Sequence, residues 1–253
     1  MTALPLAPDE IHVWYLLPSE ASHPSLLERY RALLTAEEQD RTQRYVFAKN
    51  QVEHLLTRAL ARTVLARYVG AEPRELRFSR TELGRPELVS PGAPGLAFNL
   101  ANTEGLIICA VARDRSIGVD AEWLERSGQT VEIAEQYFSK REIAELRSLP
   151  VGHQRRRFFD YWTLKEAYIK ARGIGLGLPL DRFSFLLGAS RATSAPVRIE
   201  IAIEPELGDR SERWWFEQLD LSPSHKIAVA ATRAPTETLR LVIRRTVPLE
   251  EPR

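Results

Sequence analysis

The chain has 253 residues, enough for one large domain or two of ordinary size. Hydrophobic residues make up 44% and charged residues 27%, the balance of a folded globular protein and far from that of a disordered one. Lys and Arg number 35 against 34 Asp and Glu, so the net charge of +1 excludes whole-molecule attraction to nucleic acid or anionic lipid; any anion site must be local.

Residues 1–8 lack the basic start and apolar core of a signal peptide, and no apolar run approaches membrane-spanning length, so a cytoplasmic location is expected. Residues 11–17, β-branched and aromatic, read as a first strand. After Pro18 the pattern turns helical. Residues 25–34 are one candidate, and Thr35 opens another as a cap, with Glu38 three residues on. Residues 50–69 set Val52, Leu55, Leu56, Ala59, Leu60, Thr63 and Val64 at i, i+3, i+4, i+7 spacing, which predicts a long core helix ended by Gly70. A short strand at 75–79, a turn at Leu83-Gly84-Arg85-Pro86 and a Pro- and Gly-rich loop at 90–95 follow.

Strands at 96–100 and 106–112 are close enough to form a hairpin. The second contains Cys109, the chain's one cysteine, whose apolar neighbours mark a packed residue rather than a nucleophile; no internal disulfide is possible. The polar turn at 113–116 sets a boundary between an N-terminal half, 1–113, and a C-terminal half, 114–253. In the second half a strand at 117–123 precedes helices at 130–137 and 139–147, a long helix at 152–173, and strands at 182–187, 197–203, 214–221 and 227–232. The segment from Leu239 adds an edge strand, and the tail after Pro248 is expected to be loose. Strand, helices, long helix, strands thus occurs twice, predicting an α+β fold of two similar halves.

Two stretches carry candidate chemistry. In Gly118-Val119-Asp120-Ala121-Glu122, read as a strand, Asp120 and Glu122 project from one face. Adjacent carboxylates repel unless a cation lies between them, and hard oxygen donors suit Mg²⁺ completed by water and phosphate; the alternative is a solvated strand face. On the long helix, Trp162-Thr163-Leu164-Lys165-Glu166-Ala167 places Glu166 four residues after Trp162, at the edge of the interior. Glu166 would close the acidic site, with Lys165 and Lys170 near the phosphates that a metal binds.

These stretches, with Phe98-Asn99-Leu100-Ala101-Asn102-Thr103, Phe138-Ser139-Lys140-Arg141-Glu142 and Gly175-Leu176-Gly177-Leu178-Pro179-Leu180, occur in an order that resembles the 4′-phosphopantetheinyl transferases, in particular the larger, Sfp-type members. The resemblance runs from about Arg41 to Ala230. It implies transfer of the phosphopantetheine arm of coenzyme A to a serine of an acyl or peptidyl carrier domain of a polyketide or nonribosomal peptide synthase, releasing adenosine 3′,5′-bisphosphate. It also implies a Mg²⁺-dependent monomer of two pseudosymmetric halves with the cofactor in the cleft between them. By position, Asp120, Glu122 and Glu166 are the implied metal ligands. Glu166 is alternatively the base for the serine hydroxyl, and Glu142 is a second candidate base, unless it is simply the reciprocal cap of Ser139. Lys165 and Lys170 are implied to hold the pyrophosphate, which counts Lys165 among the catalytic residues. Arg41, Arg44, Arg58, Arg85, Asn102, Thr103 and Asp120 complete the implied coenzyme A contacts.

The chain departs from the family at Asn102, where members usually have a histidine that helps to bind the 3′-phosphate, and at Glu53, near which a cation is common; Lys49 or Arg58 would then serve. Asparagine can donate a hydrogen bond but cannot become cationic, so weakened coenzyme A binding is expected. These departures are also the ground for a second reading, a catalytically silent relative that binds carrier protein or coenzyme A. Carrier proteins are typically acidic, and Tyr137, Phe138, Lys140 and Arg141 would suit them if they are not core and helix-surface residues. Arg155, Arg156 and Arg157 read as a solvated helix face rather than a nucleic-acid site.

Overall fold

A computed structural model describes residues 3–128, 130–188 and 199–250. The chain divides into two compact units, Met1–Ile117 with Leu239–Arg253, and Gly118–Thr238. In chain order the first unit holds β1 (Glu10–Leu16), α1 (Pro18–Ala21), α2 (Pro24–Arg31), α3 (Ala36–Gln43), α4 (Ala48–Val69), β2 (Phe78–Arg80), β3 (Pro86–Leu88), β4 (Leu96–Thr103) and β5 (Leu106–Arg113). The second begins within β6 (Ile117–Trp123) and continues with α5 (Val131–Tyr137), α6 (Lys140–Ser148), α7 (Val151–Arg172), β7 (Phe183–Leu187), β8 (Ile199–Ile203), β9 (Trp214–Ser222) and β10 (His225–Thr232). A last strand, β11 (Arg240–Arg245), returns to the first unit.

The first unit is built on a sheet of order β11-β1-β5-β4. β5 is buried at every residue from Leu106 to Ala112, so it reads as an unbroken apolar run, the pattern of a strand covered on both faces. Cys109 lies within it, fully buried, and burial pushes its thiol far above the usual range, which makes it inert as expected. α4 lays Leu55, Leu56, Ala59, Leu60 and Val64 into the same core. Fully burying a leucine contributes roughly 1.5–3 kcal/mol, so this one helical face is a large share of the unit's driving force.

The expected boundary needs correction at its far end. β11 pairs in parallel with β1, with Ile11 opposite Leu241 and Val13 opposite Ile243, so the segment from Leu239 belongs to the first unit and not to a half running 114–253. The division itself falls after Ile117, the residue that follows the polar turn. The strand expected at 75–79 is a three-residue element hairpinned to β3 across the Gly84 turn. Of the strand expected at 197–203, Val197 and Arg198 lie outside the described residues, as does the tail beyond Glu250.

The second unit packs α7 against a sheet of order β6-β10-β9. Its core is aromatic: Phe138, Phe158, Tyr161, Tyr168, Phe183, Phe185, Trp214 and Phe216 are all buried. α4 and α7 are both 22 residues long, and each ends at a left-handed glycine, Gly70 and Gly173, both with φ 68°. The closest approach is at Gly118 on β6. A Cβ there would run into the Ala167 carbonyl oxygen and the Ala171 nitrogen of α7, so only glycine lets the strand rest on the helix backbone. That contact sets the strand bearing Asp120 against the helix bearing Glu166 and Lys170.

Candidate active site

On α7, Trp162, Glu166 and Lys170 recur every four residues and share one stripe. β6 is buried on both faces through Ala121, so Asp120 is enclosed although it is charged. Its Oδ1 accepts a hydrogen bond from Lys170 Nζ at 2.7 Å, and the same ammonium donates to the Val119 carbonyl at 3.1 Å. The carboxylate also accepts from the Ala121 backbone, and its Oδ2 is buried with no hydrogen-bond partner among the described residues. Burial raises the Asp120 pKa against the pull of Lys170. The Glu166 carboxyl is raised too, first by burial and then by the charge of Asp120. Glu122 is pushed up to about 7 by burial, with Arg126 opposing and Asp120 adding to the shift.

The three carboxylates are therefore electrostatic neighbours, with Asp120 acting on both of the others. Among the described residues no group of three or more His, Cys, Asp or Glu side chains is arranged to hold a metal. The Glu122 carboxylate stands 3.1 Å from Arg126 and accepts a hydrogen bond from the Trp162 side chain. What remains is Asp120 with its unbonded oxygen, beside Glu166. Two carboxylates fit Mg²⁺, which commonly takes one or two from the protein and fills its octahedron with water and substrate phosphate.

Lys165 and Glu142 are placed together in the core of the second unit. Both side chains are 0% exposed, with Nζ 2.8 Å from Glu142 Oε2. The ammonium also donates to the carbonyls of Leu180 at 2.7 Å and Phe183 at 2.8 Å, so all three of its protons are used, and it lies over the Phe183 ring at 4.2 Å. Burial lowers its pKa while Glu142 works the other way. Glu142 accepts from the Ser139 nitrogen at 3.1 Å, the Ser139 hydroxyl at 2.9 Å and the Phe185 nitrogen at 2.9 Å. The capping box is real, but Glu142 is also the counter-ion of Lys165. The pair, with its bonds to Leu180, Phe183 and Phe185, ties α6, α7 and β7 together.

In the first unit, Arg41 and Arg58 line a cavity of about 540 Å³ together with His54, Arg62, Phe78 and Arg80. Arg58 is not an uncommitted cation: its Nε and Nη2 donate to Glu38 Oε1 at 3.0 and 2.8 Å. Glu38 also takes Arg62 Nε at 2.8 Å and closes the capping box with Thr35. Burial lowers the pKa of His54, helped by Arg58 and Arg41, and lowers that of Arg80, again helped by Arg41 and Arg58. Cations that depress one another mark a surplus of positive charge, the condition that favours an anionic ligand. His54 and Arg80 were not among the expected residues; both stand in short or polar contexts with no pattern to single them out.

The other expected contacts are dispersed. Arg44 is exposed at the end of α3, and Arg85 Nη2 donates to the Ile117 carbonyl at 3.0 Å. Thr103 closes β4, half-buried. Asn102 donates its side-chain amide to Glu53, and Lys49 pairs with Glu104, so the two departures from the family touch each other and neither Lys49 nor Arg58 replaces the missing cation freely. In the second unit Phe138 is core, stacked on Phe158 at 5.4 Å, which removes it from any docking surface, while Tyr137 is half exposed. The arginine run is held by protein: Arg155 bonds the carbonyls of Leu124 and Gly128 at 3.2 Å, Arg156 pairs with Asp220, and Arg157 with Glu145 at 2.9 Å.

Comparison with known proteins agrees with these stretches. Residues 116–230 match the family described as the 4′-phosphopantetheinyl transferase superfamily, and residues 20–113 match the one described as 4′-phosphopantetheinyl transferase, N-terminal. The chain is 36% identical over 174 residues to the 4′-phosphopantetheinyl transferase HetI of Nostoc sp., covering 68% of this chain and 73% of that one. It is 30% identical over 204 residues to the 4′-phosphopantetheinyl transferase Sfp of Bacillus subtilis, covering 81% and 84%. A phosphopantetheinyl transferase of Thraustochytrium sp. is 30% identical over 235 residues, covering 88% and 79%. With identity at this level across most of both chains, the protein belongs to the 4′-phosphopantetheinyl transferases of the Sfp type.

Proposed function

We propose that the chain moves the 4′-phosphopantetheine arm of coenzyme A onto a serine of an acyl or peptidyl carrier domain of a polyketide or nonribosomal peptide synthase, with Mg²⁺ held by Asp120 and Glu166. The observation that carries this reading is the unbonded, buried Oδ2 of Asp120 beside a second carboxylate whose pKa is raised. In the reaction the serine oxygen bonds to the β-phosphorus, the bond from that phosphorus to the bridging oxygen breaks, and adenosine 3′,5′-bisphosphate leaves. Charge accumulates on phosphoryl oxygens, so positioning and fixed positive charge do most of the work. A bound Mg²⁺ would supply neutralisation of the diphosphate.

The chain's own groups do the rest. With Glu166 holding the metal, the serine proton would leave to a water; if the metal sits on Asp120 alone, Glu166 would take that proton itself. Lys170, with 29% of its side chain exposed, offers its ammonium to the departing phosphate while holding Asp120 in place. The first-unit cavity lined by Arg41 and Arg80, with His54 as a neutral donor, has the charge to take a phosphate group. Incubation of apo carrier proteins with coenzyme A and Mg²⁺, read by mass spectrometry, should show a gain of one arm. No gain over carriers of fatty-acid, polyketide and peptide type would overturn the reading in favour of a silent binder.

A further inference from the structure

Between α3 and α4 the chain passes through Tyr45, Val46 and Phe47, which leave 40%, 87% and 69% of their surface exposed. Short connections between helices ordinarily carry Gly, Asn, Asp or Ser, so three large apolar residues here are not explained by turn chemistry. Nor is the tip loose. The Tyr45 nitrogen donates to the Thr42 carbonyl at 3.3 Å, Gln51 Nε2 donates to the Tyr45 carbonyl at 2.9 Å, and the Tyr45 ring packs on His54 at 5.3 Å. Ala48, the next residue, helps to wall a cavity of about 240 Å³ in which Leu34, Val52 and Leu55 supply the rest of the apolar wall, and Arg31, Thr42 and three glutamines the polar one. Residues 41–49 carry Arg41, Arg44 and Lys49 and no carboxylate, although Lys49 is paired with Glu104 of the β4–β5 turn, which leaves Arg41 and Arg44 as the local positive charge.

An ordered apolar tip, flanked by Arg41 and Arg44 and beside a cavity with both apolar and polar walls, has the composition of a site for an amphipathic helix with an acidic margin. We propose that this tip docks the carrier domain, its acidic helix lying along Val46 and Phe47 with an apolar side chain entering the cavity. The proposal rests on the transferase reading, which supplies an acidic protein substrate; it goes beyond that reading by placing the recognition of that substrate on the α3–α4 connection instead of on Tyr137, Lys140 and Arg141.

The test is the double variant Val46→Ser/Phe47→Ser, both positions being too exposed for the change to unfold the chain. KM for an apo carrier, KM for coenzyme A, and carrier binding by fluorescence anisotropy without coenzyme A are measured on variant and wild type. The carrier KM and dissociation constant should each rise about tenfold or more, as for loss of a central apolar anchor, with kcat and the coenzyme A KM within about twofold. Unchanged carrier binding overturns the proposal, as does an effect confined to self-association or to binding of anionic vesicles. Absence of transfer by the wild type on every carrier would sink the transferase reading separately, and the anisotropy comparison still decides the docking surface.

Discussion

Replacing Lys165 with methionine separates a structural cation from a catalytic one. The substitution keeps the volume of the stem but leaves Glu142, 0% exposed, without its counter-ion, and leaves the Leu180 and Phe183 carbonyls each short of a donor. Removing one partner of a buried pair costs about 3–5 kcal/mol. Each abandoned carbonyl adds about 1–3 kcal/mol, although the contributions are not additive and protonation of the stranded Glu142 limits the loss. A net cost of about 4 kcal/mol, at about 2–4 °C per kcal/mol for a chain of this size, lowers Tm by about 8–16 °C. Lys165→Met/Glu142→Gln should recover part of that, since no charge is then left buried. Calorimetry gives the Tm values, and kcat measured well below the variant's Tm should fall no more than about tenfold. A variant that melts within about 2 °C of wild type but has lost turnover would return Lys165 to the reacting phosphates and refute the argument.

Gly118→Ala pushes a Cβ into the α7 backbone at Ala167 and Ala171, where nothing can rotate away; a loss of about 1–3 kcal/mol by urea unfolding is expected, with weaker Mg²⁺ response, and an unperturbed variant would contradict the close approach. Asn102→His exchanges the amide that bonds Glu53 for a ring able to carry charge, and should lower KM for coenzyme A; an unchanged value would dismiss the idea of a weakened 3′-phosphate pocket. Glu122 titrates at 4.5 when unfolded and at about 7 in the fold, so the folded state binds the proton more tightly and stability falls as pH rises between those values, by up to about 3 kcal/mol, then levels off. Asp120 and Glu166 shift in the same direction. Scanning fluorimetry in EDTA should therefore show Tm declining from about pH 5 to about pH 7, with excess Mg²⁺ restoring it at about pH 8; a flat profile in EDTA would show the carboxylates to be less enclosed.

What could be read from the residues alone was what local chemistry decides. The apolar spacing of 50–69 and 152–173, each stopped by glycine, gave two long helices within two residues of their ends, and the Thr35/Glu38 and Ser139/Glu142 boxes were visible as strings. The burial of Lys165 was also legible and was overlooked: Phe158, Tyr161, Lys165 and Tyr168 are spaced at three, four and three residues, which puts the ammonium on the apolar stripe and Glu166 off it. Its partner was not legible, because nothing in a helix pattern says which carboxylate of another helix it meets. β11 went to the wrong unit for the same reason: six strand-forming residues carry no statement of their neighbour, and the pairing with β1 spans nearly the whole chain. Glu122 followed the strand alternation correctly yet was drawn to Arg126 and Trp162, a competition that the D-x-E spacing does not reveal.

The most direct measurement is the initial rate of arm transfer, by mass spectrometry of the carrier, as Mg²⁺ is titrated into EDTA-stripped wild type and into Asp120→Asn. Wild type should go from no transfer to a saturating rate, while Asp120→Asn, folded to the same Tm or higher because a buried charge is gone, stays inactive at every Mg²⁺ concentration. Transfer by stripped wild type, or a rate in Asp120→Asn near that of wild type, would contradict a metal held at Asp120 and Glu166.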